Sequence, residues 1–119
     1  MTTPHYLTVT DRGGAISVDF PITNAPTRIS SAILHMDSAP TLPGSVSIYL
    51  LMGVGASGLF TTSITYASLM HTNEMMGKSD LIWLPGWQLW TPIGDIFRLV
   101  YANPSNLAYY IRMTVEEWN

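Results

Sequence analysis

Apolar and polar side chains alternate with a period of two along most of this 119-residue chain. Such a pattern belongs to strands that bury one face and show the other. Ile16, Val18, Phe20 and Ile22 alternate with Ser17, Asp19 and Pro21. Pro21 has no amide hydrogen to give to a ladder, which predicts a sheet edge or a strand end there. Upstream, Leu7 and Val9 alternate with Tyr6, Thr8 and Thr10, and Asp11-Arg12-Gly13-Gly14 supplies turn residues. The two runs read as a β-hairpin.

Further strands are predicted over Arg28 to Met36, Val46 to Met52, Leu59 to about Tyr66, Leu81 to Leu84, Phe97 to Ala102 and Ala108 to Glu117. Asp37-Ser38-Ala39-Pro40 and Leu42-Pro43-Gly44 break the chain before the second of these, and Gly53 to Gly58 turns it after. The last strand is the clearest: Tyr109, Ile111, Met113 and Val115 face one way, while Tyr110, Arg112, Thr114 and Glu116 face the other. Ala67 to Lys78 fits either a short helix, with Leu69, Met70 and Asn73 on one face, or a strand end and a Met-bearing loop. About eight short strands with turn signals between them predict one all-β domain over residues 1–119, an antiparallel sandwich or barrel.

Charge changes the picture more than size does. Asp, Glu, Lys and Arg make up 11% of residues, against about 25% in ordinary soluble domains. Hydrophobic residues supply 47%, so some outward strand positions must be Ser, Thr or apolar. Such a surface is inexpensive to desolvate and suits packing against protein. A net charge of −3 and five scattered cations offer no stripe for nucleic-acid phosphates. There is no cysteine, which excludes disulfides and thiolate chemistry. Met1-Thr2-Thr3-Pro4 has no basic segment and no apolar run after it, so a signal peptide is not expected. Val46 to Leu69 lacks charges, but its Gly, Ser and Thr suit two strands and a turn better than a membrane helix.

A catalytic constellation is hard to assemble. Glu116 and Glu117 are neighbours on a strand and point to opposite faces. Asp80 and Asp95 each sit beside turn residues, and Asp95 in Pro92-Ile93-Gly94-Asp95 suits turn stabilisation. His5, His35 and His71 lack any metal-ligand spacing, and there is no G-x-S-x-G elbow. Gly53-Val54-Gly55-Ala56-Ser57-Gly58 has neither the spacing nor the helix of a dinucleotide fingerprint. The expectation is a non-enzymatic protein without cofactor or metal.

The aromatic residues point to contact. Trp83-Leu84-Pro85-Gly86-Trp87-Gln88-Leu89-Trp90 sets three indoles around a Pro-Gly turn. Trp83 and Trp118 suit the core, whereas Trp87 at the turn is harder to bury. Trp87, Trp90, Met75 and Met76 are candidate partner contacts, because exposed Trp and Met anchor interfaces. Internal packing of all four indoles, and stacking on sugar rings, are the alternatives. Met1 to Pro4, with Thr2, Thr3 and Pro4, is either a candidate arm that adds a strand to a neighbour's edge or a frayed terminus.

The stretches Ser79 to Pro85, Pro92-Ile93-Gly94-Asp95-Ile96-Phe97-Arg98-Leu99-Val100-Tyr101-Ala102-Asn103 and Tyr110 to Glu116 resemble small β-sandwich structural proteins of tailed bacteriophages. Ile29 to Leu51, with Leu34-His35-Met36-Asp37-Ser38-Ala39-Pro40, fits the same pattern more loosely. The resemblance implies a jelly-roll-like sandwich in the virion, assembled in the host cytoplasm, that decorates or cements the capsid. It implies the major capsid protein or another virion protein as partner, a homo-oligomer with a trimer favoured, and no nucleic acid or membrane. A tail, fibre or receptor-binding component with glycan-binding aromatics is the alternative. There are no catalytic residues to carry over, and the Met- and Trp-rich loops depart from the family's pattern.

Overall fold

The alternating runs become eight strands in the computed structural model, which describes residues 2–52, 66–85 and 90–118. They are β1 (Thr2–Asp11), β2 (Ile16–Pro21), β3 (Thr27–Met36), β4 (Ser45–Met52), β5 (Tyr66–Glu74), β6 (Asp80–Trp83), β7 (Ile96–Tyr101) and β8 (Tyr109–Trp118). Two antiparallel four-stranded sheets form, ordered β1-β8-β3-β6 and β2-β7-β4-β5. The pairing is nested: β4 with β5, β3 with β6, β2 with β7, β1 with β8. The chain is therefore one long antiparallel ribbon, rolled until β8 also meets β3 and β7 meets β4. That arrangement is a jelly roll, an eight-stranded antiparallel sandwich.

Between the sheets lie Ile16, Leu34, Met36, Val46, Ile48, Phe97, Leu99, Ile111, Met113 and Val115, all buried. Each such side chain contributes about 1.5–3 kcal/mol on leaving water. The parity read for β8 holds, with Tyr109, Ile111, Met113 and Val115 inward. Pro21 ends β2, an edge strand, as its missing amide hydrogen requires.

Two expectations need correcting, and one open reading is decided. First, β1 and β2 are not a hairpin; they lie in different sheets. Over its full length β1 pairs with β8, from Thr2 opposite Trp118 to Asp11 opposite Tyr109, a longer ladder than six-residue β2 offers. The turn between them crosses the sandwich, with Gly13 at φ 145° and Gly14 at φ 86°. A Cβ on Gly13 would stand 2.8 Å from Asn106 Oδ1. Second, of the two readings open for Ala67 to Lys78 the strand and Met-bearing loop holds: β5 runs through Glu74, and Met75 and Met76 follow it. Third, Thr2, Thr3 and Pro4 do not form a separate arm, because they extend β1 opposite Trp118, Glu117 and Glu116. The expected turn at Gly53 to Gly58, and the expected strand from Leu59 as far as Tyr66, lie outside the described residues.

Two bulges shape the sheets. The register of β3 on β8 shifts between Ile29 and Ser31, and the Ser30 hydroxyl donates to the Thr114 carbonyl at 3.0 Å. Inward parity thereby switches from Thr27 and Ile29 to Ala32, Leu34 and Met36. At the far side, the His71 ring of β5 stacks on Trp83 of β6, centroids 5.4 Å apart. This pair joins the edge strands of the two sheets.

Candidate functional site

The outer face of β1-β8-β3-β6 is fixed by parity. Side chains that alternate with the buried ones on β8 are Tyr110, Arg112, Thr114, Glu116 and Trp118. Register then sets their neighbours: Thr8, Arg112, Ile33 and Ile82 form one row across the sheet, and Tyr110, His35 and Asp80 share another. At about 3.4 Å per residue, Trp118 and Tyr110 are roughly 27 Å apart along the strand.

At one end, the guanidinium of Arg28 covers the Trp90 ring at 4.6 Å and donates from Nη2 to Glu116 Oε2 at 2.7 Å. The Trp90 ring meets Trp118 edge to face at 5.5 Å. Trp118 is 56% exposed, which corrects the expectation that it is core, and Leu84 is 70% exposed. Trp118 follows Glu117 at the end of β8, where parity turns Glu117 inward and the indole outward.

In the middle, Arg112 stands between two tyrosines. Its Nε donates to the Tyr110 hydroxyl at 3.1 Å, and its guanidinium carbon lies 5.8 Å from the ring centres of both Tyr6 and Tyr110. Tyr6, Thr8 and Arg112 line a depression of about 320 Å³. At the other end, His35 Nδ1 and Asp80 Oδ1 are 2.5 Å apart, and the Ser79 hydroxyl donates to Asp80 Oδ2 at 3.0 Å. Those two hydrogen bonds, the histidine's first, hold the Asp80 carboxyl below the usual aspartate range. A second depression of about 170 Å³ lies beside them, lined by His35, Asp37, Ala108, Tyr109 and Tyr110.

The residues singled out in the sequence do not converge. Trp90 is half-buried in the Arg28–Trp118 cluster, and Trp87 lies outside the described residues. Met75 is 0% exposed and belongs to the core, which corrects its assignment as a partner contact. Its amide donates to the Gly44 carbonyl at 2.9 Å, which ties the chain after β5 to the β3–β4 connection, and its side chain joins the core cluster. Met76 is exposed but sits near the Met36 end of β3, whereas Trp90 sits near the Thr27 end. Pro4 is exposed on β1. Asp80 and Asp95 are attached to different sheets, Asp80 in β6 and Asp95 just before β7. Tyr6 and Arg112 were not singled out; their outward parity was visible, but the contact between β1 and β8 was not.

Among the described residues, no three His, Asp or Glu side chains gather as a metal site. Among the same residues, no helix is long and apolar enough to cross a membrane. No family model matches the chain, and no curated protein matches its sequence. Among solved structures, it is similar to PirA, at 14% identity over 92% of this chain and 90% of that one, with a TM-score of 0.45. It is similar to the Yersinia pseudotuberculosis-derived mitogen, at 16% identity over 96% and 86%, with a TM-score of 0.43. A turnip yellow mosaic virus chain is similar at 12% identity over 98% and 80%, with a TM-score of 0.42. These are distant likenesses of β-rich folds.

Proposed function

We propose that this chain is a non-enzymatic virion structural protein, a capsid decoration or cement protein that docks through the outer face of β1-β8-β3-β6. The observation that carries the reading is how that face handles charge. Arg28 is matched by Glu116 and His35 by Asp80, both within the sheet. Around those pairs, Trp118, Leu84, Ile82 and Tyr6 are exposed. A partner that covers this face buries rings and aliphatic groups, meets an Arg28 that already has its counterion, and finds Arg112 flanked by the rings of Tyr6 and Tyr110. Trp, Tyr and Arg are also the residue types that dominate binding energy at interfaces.

A cement protein that binds only the assembled shell stabilises it by mass action. The bridged partner in this reading is the major capsid protein or another virion protein, and the chain acts as a homo-oligomer. Reconstruction of particles that carry the protein tests the placement. The expected result is density for the jelly roll with the Trp118–Tyr6 face against capsid, and reduced occupancy for Trp118→Ala. Particles that lack the protein should lose infectivity on heating sooner than complete ones. Unchanged heat resistance would reject the cementing role, and density on the tail would move the contact to a tail or fibre.

A further inference from the structure

The cation at the centre of the outer face differs from the others in strands. Arg28 and Arg98 have carboxylate partners, Glu116 and Asp19. Arg112 has no carboxylate partner among the described residues, yet its position is fixed. One nitrogen, Nε, is engaged with the Tyr110 hydroxyl at 3.1 Å, and the guanidinium stands 5.8 Å from the rings of Tyr6 and Tyr110. The two terminal nitrogens keep the planar fork that grips a carboxylate with paired hydrogen bonds. A guanidinium already held in place loses less freedom when a ligand arrives.

We propose that the depression lined by Tyr6, Thr8 and Arg112 binds an acidic sugar, a pyranose bearing a carboxylate. Arg112 takes the carboxylate, the Tyr6 ring supports the apolar face of the sugar, and the Thr8 hydroxyl bonds a sugar hydroxyl. Three features select this class. The depression, about 320 Å³, stands at the small end of ligand pockets, which run from about 300 Å³ upward. Tyr6 is 64% exposed, so a flat aromatic surface is available beside the cation. A single cation suits one carboxylate better than a multiply charged phosphate. The proposal goes beyond the virion reading and does not depend on it: the sugar takes the face where no partner covers it, so a sugar at Tyr6 and a docked partner exclude each other.

The test is an NMR titration of the full chain with the methyl glycoside of glucuronic acid, with methyl glucoside and acetate as parallel arms. The glucuronide is expected to shift the resonances of Tyr6, Thr8 and Arg112. Methyl glucoside should bind about tenfold more weakly or worse, because the charge-assisted pair is lost. Arg112→Gln should weaken the glucuronide by a similar factor, and Tyr6→Phe should keep it while Tyr6→Ala loses several-fold. Both positions are exposed, and a thermal melt confirms that the variants fold. Acetate binding as tightly as the glucuronide would overturn the sugar assignment in favour of a bare carboxylate contact, such as one from a partner protein. An unchanged affinity in Arg112→Gln, or no shift at these residues, would overturn the site.

Discussion

The side-chain amide of Asn103 donates to the Gly14 carbonyl at 2.9 Å, joining the connection after β7 to the turn that carries the chain from one sheet to the other. The same amide donates to the Leu107 carbonyl at 2.9 Å, and its oxygen accepts from the Leu107 amide at 3.1 Å. Asn103 is 3% exposed and has φ 52°, a left-handed conformation that asparagine tolerates better than most residues. Asn106 adds a second tie from the same connection, its Oδ1 accepting from the Gly14 amide at 2.7 Å.

Asn103→Ala removes three hydrogen bonds and frees the Gly14 carbonyl and the half-buried Leu107 amide and carbonyl. The expected loss of stability is about 2–4 kcal/mol. Urea denaturation with an unchanged m-value checks it. A loss below about 1 kcal/mol would mean that the turn holds its path without this clamp.

Two adjacent methionines should respond very differently. Met75 is fully buried in the core cluster, whereas Met76 is 49% exposed. Met75→Ala leaves a cavity and is expected to cost about 2–5 kcal/mol. Met76→Ala should stay within about 0.5 kcal/mol. Paired thermal melts decide it, and equal losses would place Met76 in the core as well.

The strand just before this pair marks the limit of what alternation carries. Period-two alternation located strands because one face of each is buried, and it set the parity of β8 and the edge position of Pro21 correctly. It failed where a bulge breaks the period. In β5 the register shifts so that Ile48 opposes His71 and Tyr49 opposes Leu69, which leaves Met70 without a partner residue. Leu69 and Met70 then stand side by side as apolar residues, a pattern that fits a helix as well as a strand. Pairing was less legible still. Asp11 to Gly14 has the composition of a hairpin turn, and only Asn103 and Asn106, distant in sequence, hold it as a crossing between sheets. Since β1 next to β8 was not foreseen, neither was the meeting of Tyr6 with Arg112.

Acid should weaken the fold through carboxylates held by hydrogen bonds. Glu74 accepts from the Gly44 amide at 2.8 Å and the Met76 amide at 3.0 Å, and these bonds keep its carboxyl below the ordinary glutamate value. Asp19, through the hydrogen bonds of Arg98, moves the same way. A carboxyl depressed in the folded state adds stability above its unfolded pKa, about 4.3 for glutamate, and loses it as pH falls through the folded value. Glu74→Gln should therefore melt below the parent at neutral pH, with the gap narrowing below about pH 4. A gap constant from neutral to acid would show that the effect of Glu74 is not one of its charge.

The Tyr101 hydroxyl presents the opposite situation. The side chain is buried, and its oxygen has no hydrogen-bond partner among the described residues. Burial, followed by the charge of Glu74, raises its pKa above the ordinary tyrosine value. An unpaired buried hydroxyl costs about 1–3 kcal/mol in lost solvation. Tyr101→Phe keeps the ring in the core and removes that cost, so stability should be unchanged or higher by up to about 1 kcal/mol. The alkaline side gives a second readout. Because the folded pKa is raised, ionisation has no effect on stability below the unfolded pKa, about 10, and stability falls as pH rises from there through the folded value. The phenylalanine variant should then lose less stability than the parent above about pH 10, although Tyr109, also raised by burial, keeps part of the slope. Melting temperatures of both proteins across neutral and alkaline pH measure this. A loss above about 1 kcal/mol at neutral pH would instead show that the hydroxyl bonds a buried water, and that Tyr101 fixes the water in place.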